Sequence, residues 1–282
     1  MAERKASVHG DNGGMTALDI LLIGAGGFAA GAVNSMAGGG TFFSFPAMLA
    51  VGLPPVVANA SNSVALWPGS LSGAWAYRKE LAPYKRYLLP MGIASLLGGA
   101  TGGLLLLAAG DAQFAALIPW LLAFATLLFA FSPQLSGLLK QLRQRGQATQ
   151  PMDPKNPPGE HGAGAPVGWL VHFLVSIYGG FFGAGMGILM MASLAIGGHE
   201  DVQHINALKN LLSALIYSIT VTTFIIAGAV SWPHTLVMVV TATLGGYWGA
   251  RMARKIQGPW LRRMVIAVGS ALTAYYFYKT LG

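Results

Sequence analysis

Long apolar runs with almost no charge inside them constrain this chain more than any other feature of its sequence. A transmembrane helix needs ~20 mainly apolar residues, and most of the runs reach or approach that length. Only 9% of the 282 residues are charged, against about 25% in soluble domains. The chain therefore has too few charged residues to cover the surface of a soluble fold. The pattern predicts an all-α polytopic membrane protein. The apolar segments are 17–36, 41–52, 57–77, 88–109, 114–132, 167–184, 186–197, 205–229, 235–250 and 262–278.

The remaining composition excludes several classes of function. The net charge of +8 would suit nucleic acid, but the basic residues stand at the ends of apolar runs, where membrane proteins place them. There are no cysteines, which excludes disulfides and thiolate chemistry. No nucleophile–base pair, metal-ligand spacing or nucleotide-binding loop occurs, so the sequence predicts no enzyme, no metal and no cofactor. The polar segment 1–16 lacks the apolar core of a cleaved signal peptide.

The two halves of the chain resemble each other. A shift of 147 positions carries Ala37-Gly38-Gly39-Gly40 onto Ala184-Gly185-Met186-Gly187, and Asn59-Ala60 onto Asn206-Ala207. Internal repeats of this size are typical of secondary transporters. The predicted organisation is a polar N-terminal segment, a first repeat, a cytoplasmic linker rich in proline and glycine, and a second repeat. Their ranges are 1–16, 17–132, 133–166 and 167–282.

Loop charge predicts that the two repeats are inverted in the membrane. Basic clusters occur at 78–86, in the linker and at 251–263, whereas the turns at 110–113 and 231–234 carry no lysine or arginine. Positive loops prefer the cytoplasm, which places both termini in the periplasm. Because the shift of 147 exchanges basic loops with neutral turns, each repeat needs an odd number of crossings. Each repeat is therefore predicted as a glycine-broken helical hairpin, either re-entrant or made of tilted spans, followed by three transmembrane helices.

The tips of the two hairpins are candidate anion sites. A broken helix within a membrane must be buried in protein or line a cavity, and a helix N-terminus offers unpaired amides and a positive dipole end. Helices starting at Thr41 or Ile188 would present such groups. The alternative is that the glycines only permit close helix packing, but their recurrence at one repeat position favours a site. The candidate residues are Gly38, Gly39, Gly40, Thr41, Gly183, Gly185 and Gly187.

Polar side chains on the following helix form a second candidate set. They are Asn59, Ser61 and Asn62 in the first repeat, and Asn206, Lys209 and Asn210 in the second. Asparagine amides and a lysine ammonium donate hydrogen bonds to oxyanions, although Asn59 or Asn206 could instead cap a helix. Charges within a membrane are costly and usually functional. Lys209 could alternatively lie at the interface and extend its ammonium outward.

Acidic residues are absent from the middle of every apolar run, which favours an anionic substrate over a cation or a carboxylate proton relay. His172, early in the second hairpin, could couple transport to protons because imidazole titrates near neutral pH. A packed, neutral histidine is the alternative.

Two stretches of sequence resemble the TauE/SafE family of sulfite exporters. In the first half they are Gly26-Gly27-Phe28-Ala29-Ala30-Gly31 and Asn34-Ser35-Met36-Ala37-Gly38-Gly39-Gly40, then Pro46, Gly52-Leu53-Pro54-Pro55 and Ala58-Asn59. In the second half the similar stretch is Tyr178-Gly179-Gly180-Phe181-Phe182-Gly183-Ala184-Gly185-Met186-Gly187.

The resemblance implies a permease of the bacterial cytoplasmic membrane with duplicated halves, which exports sulfite or an organosulfonate such as sulfoacetate. Its partners would be a small anion and the lipid bilayer, with no nucleic acid, and a homo-oligomer is left open. Members of the family differ at the positions of Lys209 and Asn210, so those roles rest on this chain's own residues. An anion channel and a membrane scaffold subunit are the competing functions.

Overall fold

A computed structural model describes residues 15–36, 39–78, 81, 85–147, 165–196, 202–252 and 258–281. All regular structure within these ranges is α-helical, which confirms the predicted fold class. The helices are α1 (Ala17–Met36), α2 (Thr41–Ala50), α3 (Pro55–Ala76), α4 (Lys85–Gln147), α5 (Ala165–Phe181), α6 (Met186–Ile196), α7 (Val202–Ile226), α8 (Trp232–Met252) and α9 (Gly258–Leu281).

Three helical stretches of the described residues are long and apolar enough to cross a membrane: 17–35, 88–134 and 205–226. The second belongs to α4, whose axis breaks at Gly110 with φ 69° and ψ 176°. The helix therefore consists of a first arm, 85–109, and a second arm, 111–147. These arms correspond to the separate predicted segments 88–109 and 114–132.

The second arm of α4 continues into the stretch that the sequence predicts as linker. It extends past Pro133 to Gln147, because leucine, lysine, arginine and glutamine in this stretch favour helix. Residues 148–164 lie outside the described part of the chain.

Two helix pairs join the halves through very close contact. α1 packs on α8, and the first arm of α4 packs on α5. A Cβ atom built on Gly31 would lie 1.9 Å from the carbonyl oxygen of Ala242, and one on Gly102 would lie 2.1 Å from that of Ile177. Such contacts between backbones are typical of membrane helices, where small residues allow close approach. Each pair thus contains one helix from each half, and the two pairs join the halves to each other.

The contacts also fix the directions of these helices. Gly27 lies beside Met238, and Ala32 lies beside Gly249, so α1 runs parallel to α8. Ser95 lies beside His172 and Gly102 beside Ile177, which makes the first arm of α4 parallel to α5.

Contacts near the start of α3 show how the pair α1–α8 is oriented relative to the pair formed by α5 and the first arm of α4. Val56 N donates to Asp111 Oδ1 where the first arm of α4 ends, and Ser231 N donates to Ser61 Oγ where α8 begins. The first arm of α4 therefore runs toward this side and α8 runs away from it. It follows that α1 and α5 run in opposite directions, which is the geometry that inverted repeats require. The inverted repeat itself stays a prediction.

α3 and α7 cross the centre of the molecule side by side. Trp67 Nε1 donates to Ser218 Oγ at 2.9 Å, and Gly73 lies beside Asn210, so the two helices are antiparallel. The second arm of α4 packs on α9, with the rings of Trp120 and Phe277 4.9 Å apart. The central pair carries both polar sets of candidate residues.

Candidate functional site

Both predicted hairpins are present, each with a break at its glycine-rich tip. α2 begins at Thr41, as predicted, and Gly40 is its N-cap residue. α6 begins at Met186, two residues before the predicted start at Ile188. The amide of Ile188 donates to the Gly185 carbonyl oxygen at 3.0 Å, so it is not the free donor that the sequence suggested. Gly38 lies outside the described residues.

The tip of the second hairpin requires glycine for its backbone. Gly183 has φ 79° and Gly185 has φ 74°, a left-handed conformation that costs other residues about 1–2 kcal/mol. No backbone hydrogen bond between described residues engages the amide of Gly187. The sharp reversal therefore leaves one donor at the start of α6.

A pair of alanine substitutions tests this tip. Gly185→Ala is expected to lower the free energy of unfolding by about 1–2 kcal/mol because of its positive φ. Gly187→Ala should be close to neutral, since its Cβ would meet only Lys209 Cδ, at 3.8 Å. The measurement is the midpoint of thermal unfolding of both purified variants. Equal midpoints would contradict the strained geometry.

The two tips lie next to each other around Tyr217 of α7. A Cβ atom on Gly183 would lie 3.3 Å from the Tyr217 hydroxyl oxygen, and the Thr41 side chain lies close enough to the same hydroxyl to interact with it electrostatically. The rings of Phe45 and Phe182 are 5.5 Å apart, in an edge-on arrangement. Tyr217 was missed in the sequence, where a tyrosine within an apolar run indicates only helix packing.

The polar set on α3 is buried and engaged. Asn59, Ser61 and Asn62 are at most 1% exposed. Asn59 Nδ2 donates to the Phe181 carbonyl oxygen at 3.0 Å, and Ser44 Oγ donates to Asn62 Oδ1. Asn59 Oδ1 accepts no hydrogen bond from a described residue. The helix begins at Pro55, so Asn59 lies in its second turn, and the capping role considered for it is wrong.

The polar set on α7 is partly exposed. Asn206, Lys209 and Asn210 each have an intermediate exposure, and Asn206 lies inside α7 rather than at its cap. The Lys209 stem lies against Gly187 in the first turn of α6. Among the described residues, no hydrogen bond or ion pair engages Lys209. The stem of a cationic side chain thus packs against the first turn of α6, at the residue whose amide has no backbone partner among the described residues.

His172 is not part of this region. It is 1% exposed, and its Nε2 lies 2.9 Å from Ser95 Oγ in the contact between α5 and α4. It precedes Phe181 by nine residues, or roughly 14 Å along the helix axis. Its Nδ1 has no partner among the described residues.

The acidic residues of the described chain lie at helix ends. Asp19 is in the first turn of α1, where it binds Thr16, and Asp111 caps α3 through Val56 N. No cluster of described residues could hold a metal ion. The unbonded amide of Gly187 and the cationic side chain that packs against this residue have the chemistry that an anion would need.

Comparison with known proteins identifies the family. The profile described as sulfite exporter TauE/SafE matches residues 23–276. A probable membrane transporter protein of Haemophilus influenzae is 27% identical over 89% of this chain and 92% of its own length. YfcA of Escherichia coli K12, also a probable membrane transporter protein, is 26% identical over 90% of this chain and 87% of its own.

A probable membrane transporter protein of Sinorhizobium, ORF9, is 26% identical over 87% of each chain. No solved structure matches the chain significantly. These relatives are described as membrane transporters, not enzymes, and the apolar helices agree with that description. The chain belongs to the sulfite exporter TauE/SafE family of membrane transporters.

Proposed function

We propose that this protein is a secondary transporter that exports a small sulfur oxyanion, sulfite or an organosulfonate such as sulfoacetate, across the bacterial inner membrane. The observation that carries the proposal is the position of Lys209, a cation without a partner among the described residues, whose aliphatic stem packs against Gly187, the residue with the unbonded amide at the start of α6. The family description supports the sulfur oxyanion. The proposed binding residues are Gly38, Gly39, Gly40, Thr41, Asn59, Ser61, Asn62, Gly183, Gly185, Gly187, Asn206, Lys209 and Asn210.

The chemistry of these groups favours an anion of low charge. A single ammonium neutralises one negative charge, and the amides of asparagine and glycine add hydrogen bonds to oxygen. The positive end of the α6 dipole contributes in the same direction. No described acidic side chain opposes binding, since Asp19 and Asp111 are engaged at helix ends.

The transport cycle is proposed to be alternating access, with the basic loops in the cytoplasm and both termini in the periplasm. Opposite directions of α1 and α5 support this arrangement. His172 remains a proposed coupling residue. Because it lies in the contact of α4 with α5, it would act by changing helix packing rather than by touching the substrate.

An anion channel built from the same donors is the second candidate function. The partly exposed face of α7 favours a channel only if the buried polar face of α3 becomes exposed at the same time. A transporter shows saturation and counterflow, whereas a channel passes large uncoupled currents. A scaffold subunit would bind no anion, and a partner protein would copurify with it.

Thermal unfolding of the detergent-purified protein tests the proposed substrate. The panel contains sulfite, sulfate, sulfoacetate, taurine, phosphate and acetate at equal ionic strength. A ligand that binds the folded state raises its stability by mass action, so a saturable rise with sulfite or a sulfonate is expected. A flat panel from a well-behaved protein would contradict the proposal.

A further inference from the structure

Equivalent positions of the two repeats differ in burial. The shift of 147 carries Asn59 onto Asn206, Asn62 onto Lys209 and Ser63 onto Asn210. The three residues on α3 are at most 6% exposed, whereas all three on α7 are partly exposed. The molecule is therefore closed around α3 and more open around α7.

Contacts between the halves hold the α3 side closed. Asn59 Nδ2 binds the carbonyl oxygen of Phe181, and Ser61 Oγ binds the amide of Ser231. Each bond joins α3 of the first half to a segment of the second. Both α3 residues are fully buried, so the halves are in close contact at these two points.

An aromatic cluster fills the same side. It consists of Phe45, Phe114, Phe181 and Phe182, whose neighbouring rings are 5.5 to 6.3 Å apart. Three of the four rings are at most 2% exposed. Phe114 follows the turn at 110–113, which carries no lysine or arginine. The closed side is therefore the side of the two neutral turns.

The open side is the one where α3 and α8 end. Asn210 lies beside Gly73 near the end of α3, and the last turn of α8 carries Arg251. The partly exposed Lys209 belongs to this side. An anion would thus enter from the side of the basic loops.

We propose that Asn59, Ser61 and the aromatic cluster form a gate that closes the site on the side of the neutral turns, while the polar face of α7 is the open entrance. This inference rests on the proposed transport function. The alternate state exchanges the two arrangements: α7 closes, and α3 separates from Phe181 and Ser231. Opening would also allow water to reach Asn59 Oδ1, which has no partner among the described residues.

The second gate has a different composition. The shift of 147 relates Phe45, Phe114 and Phe182 to Ala192, Leu261 and Ser35. The side of the basic loops therefore has no aromatic cluster at the equivalent positions. In the alternate state we expect Asn206 to donate to the carbonyl oxygen of Asn34, the equivalent of Phe181.

Introduced cysteines test the gate directly, because the chain contains none of its own. In Ser61→Cys/Ser231→Cys, reconstituted in lipid vesicles, oxidation should link the two residues and lock the gate. Sulfoacetate transport is expected to fall at least tenfold on oxidation and to return on reduction. The reduced double variant is the reference for the effect of oxidation. Ser231→Cys alone, oxidised identically, is the control and should keep its rate. Sulfoacetate is used because sulfite itself cleaves disulfides.

Labelling at equivalent positions gives a second measurement that needs no transport. Ser63→Cys and Asn210→Cys are exposed separately to a membrane-impermeant thiol reagent on the side of Arg251. The Asn210→Cys variant should react at least tenfold faster. Equal rates, or undiminished transport by the cross-linked protein, would overturn the gate. If the unmodified chain transports no sulfoacetate, the transport proposal fails for that substrate, while the labelling contrast still decides the gate.

Discussion

Gly31→Ala is expected to separate α1 from α8 and to cause a large loss of stability. The new Cβ would lie 1.9 Å from the Ala242 carbonyl oxygen and 2.8 Å from the Gly246 nitrogen. Both are backbone atoms, which cannot rotate away as a side chain can. Overpacking typically lowers the free energy of unfolding by about 1–3 kcal/mol and occasionally by more. We expect the loss at Gly31 to reach or exceed the upper end of this range.

The midpoint of thermal unfolding in detergent measures this loss. Gly69→Ala is the matched control, because Gly69 lies in α3 and a Cβ there meets nothing within 4 Å. That variant should be neutral or slightly stabilised, since alanine favours helix over glycine. Gly102→Ala, with a Cβ 2.1 Å from the Ile177 carbonyl oxygen, should behave like Gly31→Ala. A normal midpoint for Gly31→Ala would show that α1 and α8 do not pack this closely.

Local patterns predicted the helices and the hairpins. Apolar runs of helix length ended within a few residues of the helix boundaries, as at 17–36 for α1 and 41–52 for α2. The glycine clusters marked both helix breaks because the chain must turn there, twice with positive φ. Information of this kind lies within a few neighbouring residues, so one sequence suffices to read it.

Contacts between distant residues could not be predicted in this way. Asn59 and Phe181 are 122 positions apart, and no local pattern indicates that an α3 amide binds the end of α5. Tyr217 beside both tips is a second example. The capping interpretation of Asn59 failed for a local reason. Its helix begins at Pro55, whose ring occupies the first turn, where no backbone donor is needed.

The boundary of the predicted linker was harder to place for a different reason. Charge and proline marked the end of the membrane segment near 133, and they do end the apolar run. They do not end the helix, which continues to Gln147. Polar residues with long side chains are good helix formers in water, so loss of hydrophobicity and loss of helix need not coincide.

Lys209→Met is expected to weaken anion binding by roughly ten- to a hundredfold, because a hydrogen bond to a charged group contributes about 1.5–3 kcal/mol. The measured quantity is the anion concentration that gives half of the maximal thermal stabilisation. Lys209→Arg keeps the charge and should retain part of the affinity. Lys279→Met, at the exposed end of α9, removes a similar charge away from the tips and should leave the affinity unchanged.

The stability of Lys209→Met without ligand separates the functional role from a structural one. Lys209 has no partner among the described residues, and its stem already packs beside Gly187. Methionine can fill that space without the cost of partly burying an unpaired charge. The unliganded variant should therefore unfold at the same temperature as the parent or a higher one, while its response to the anion falls. Unchanged affinity would remove Lys209 from the site, and it would leave an outward-extending lysine as the better description of this residue.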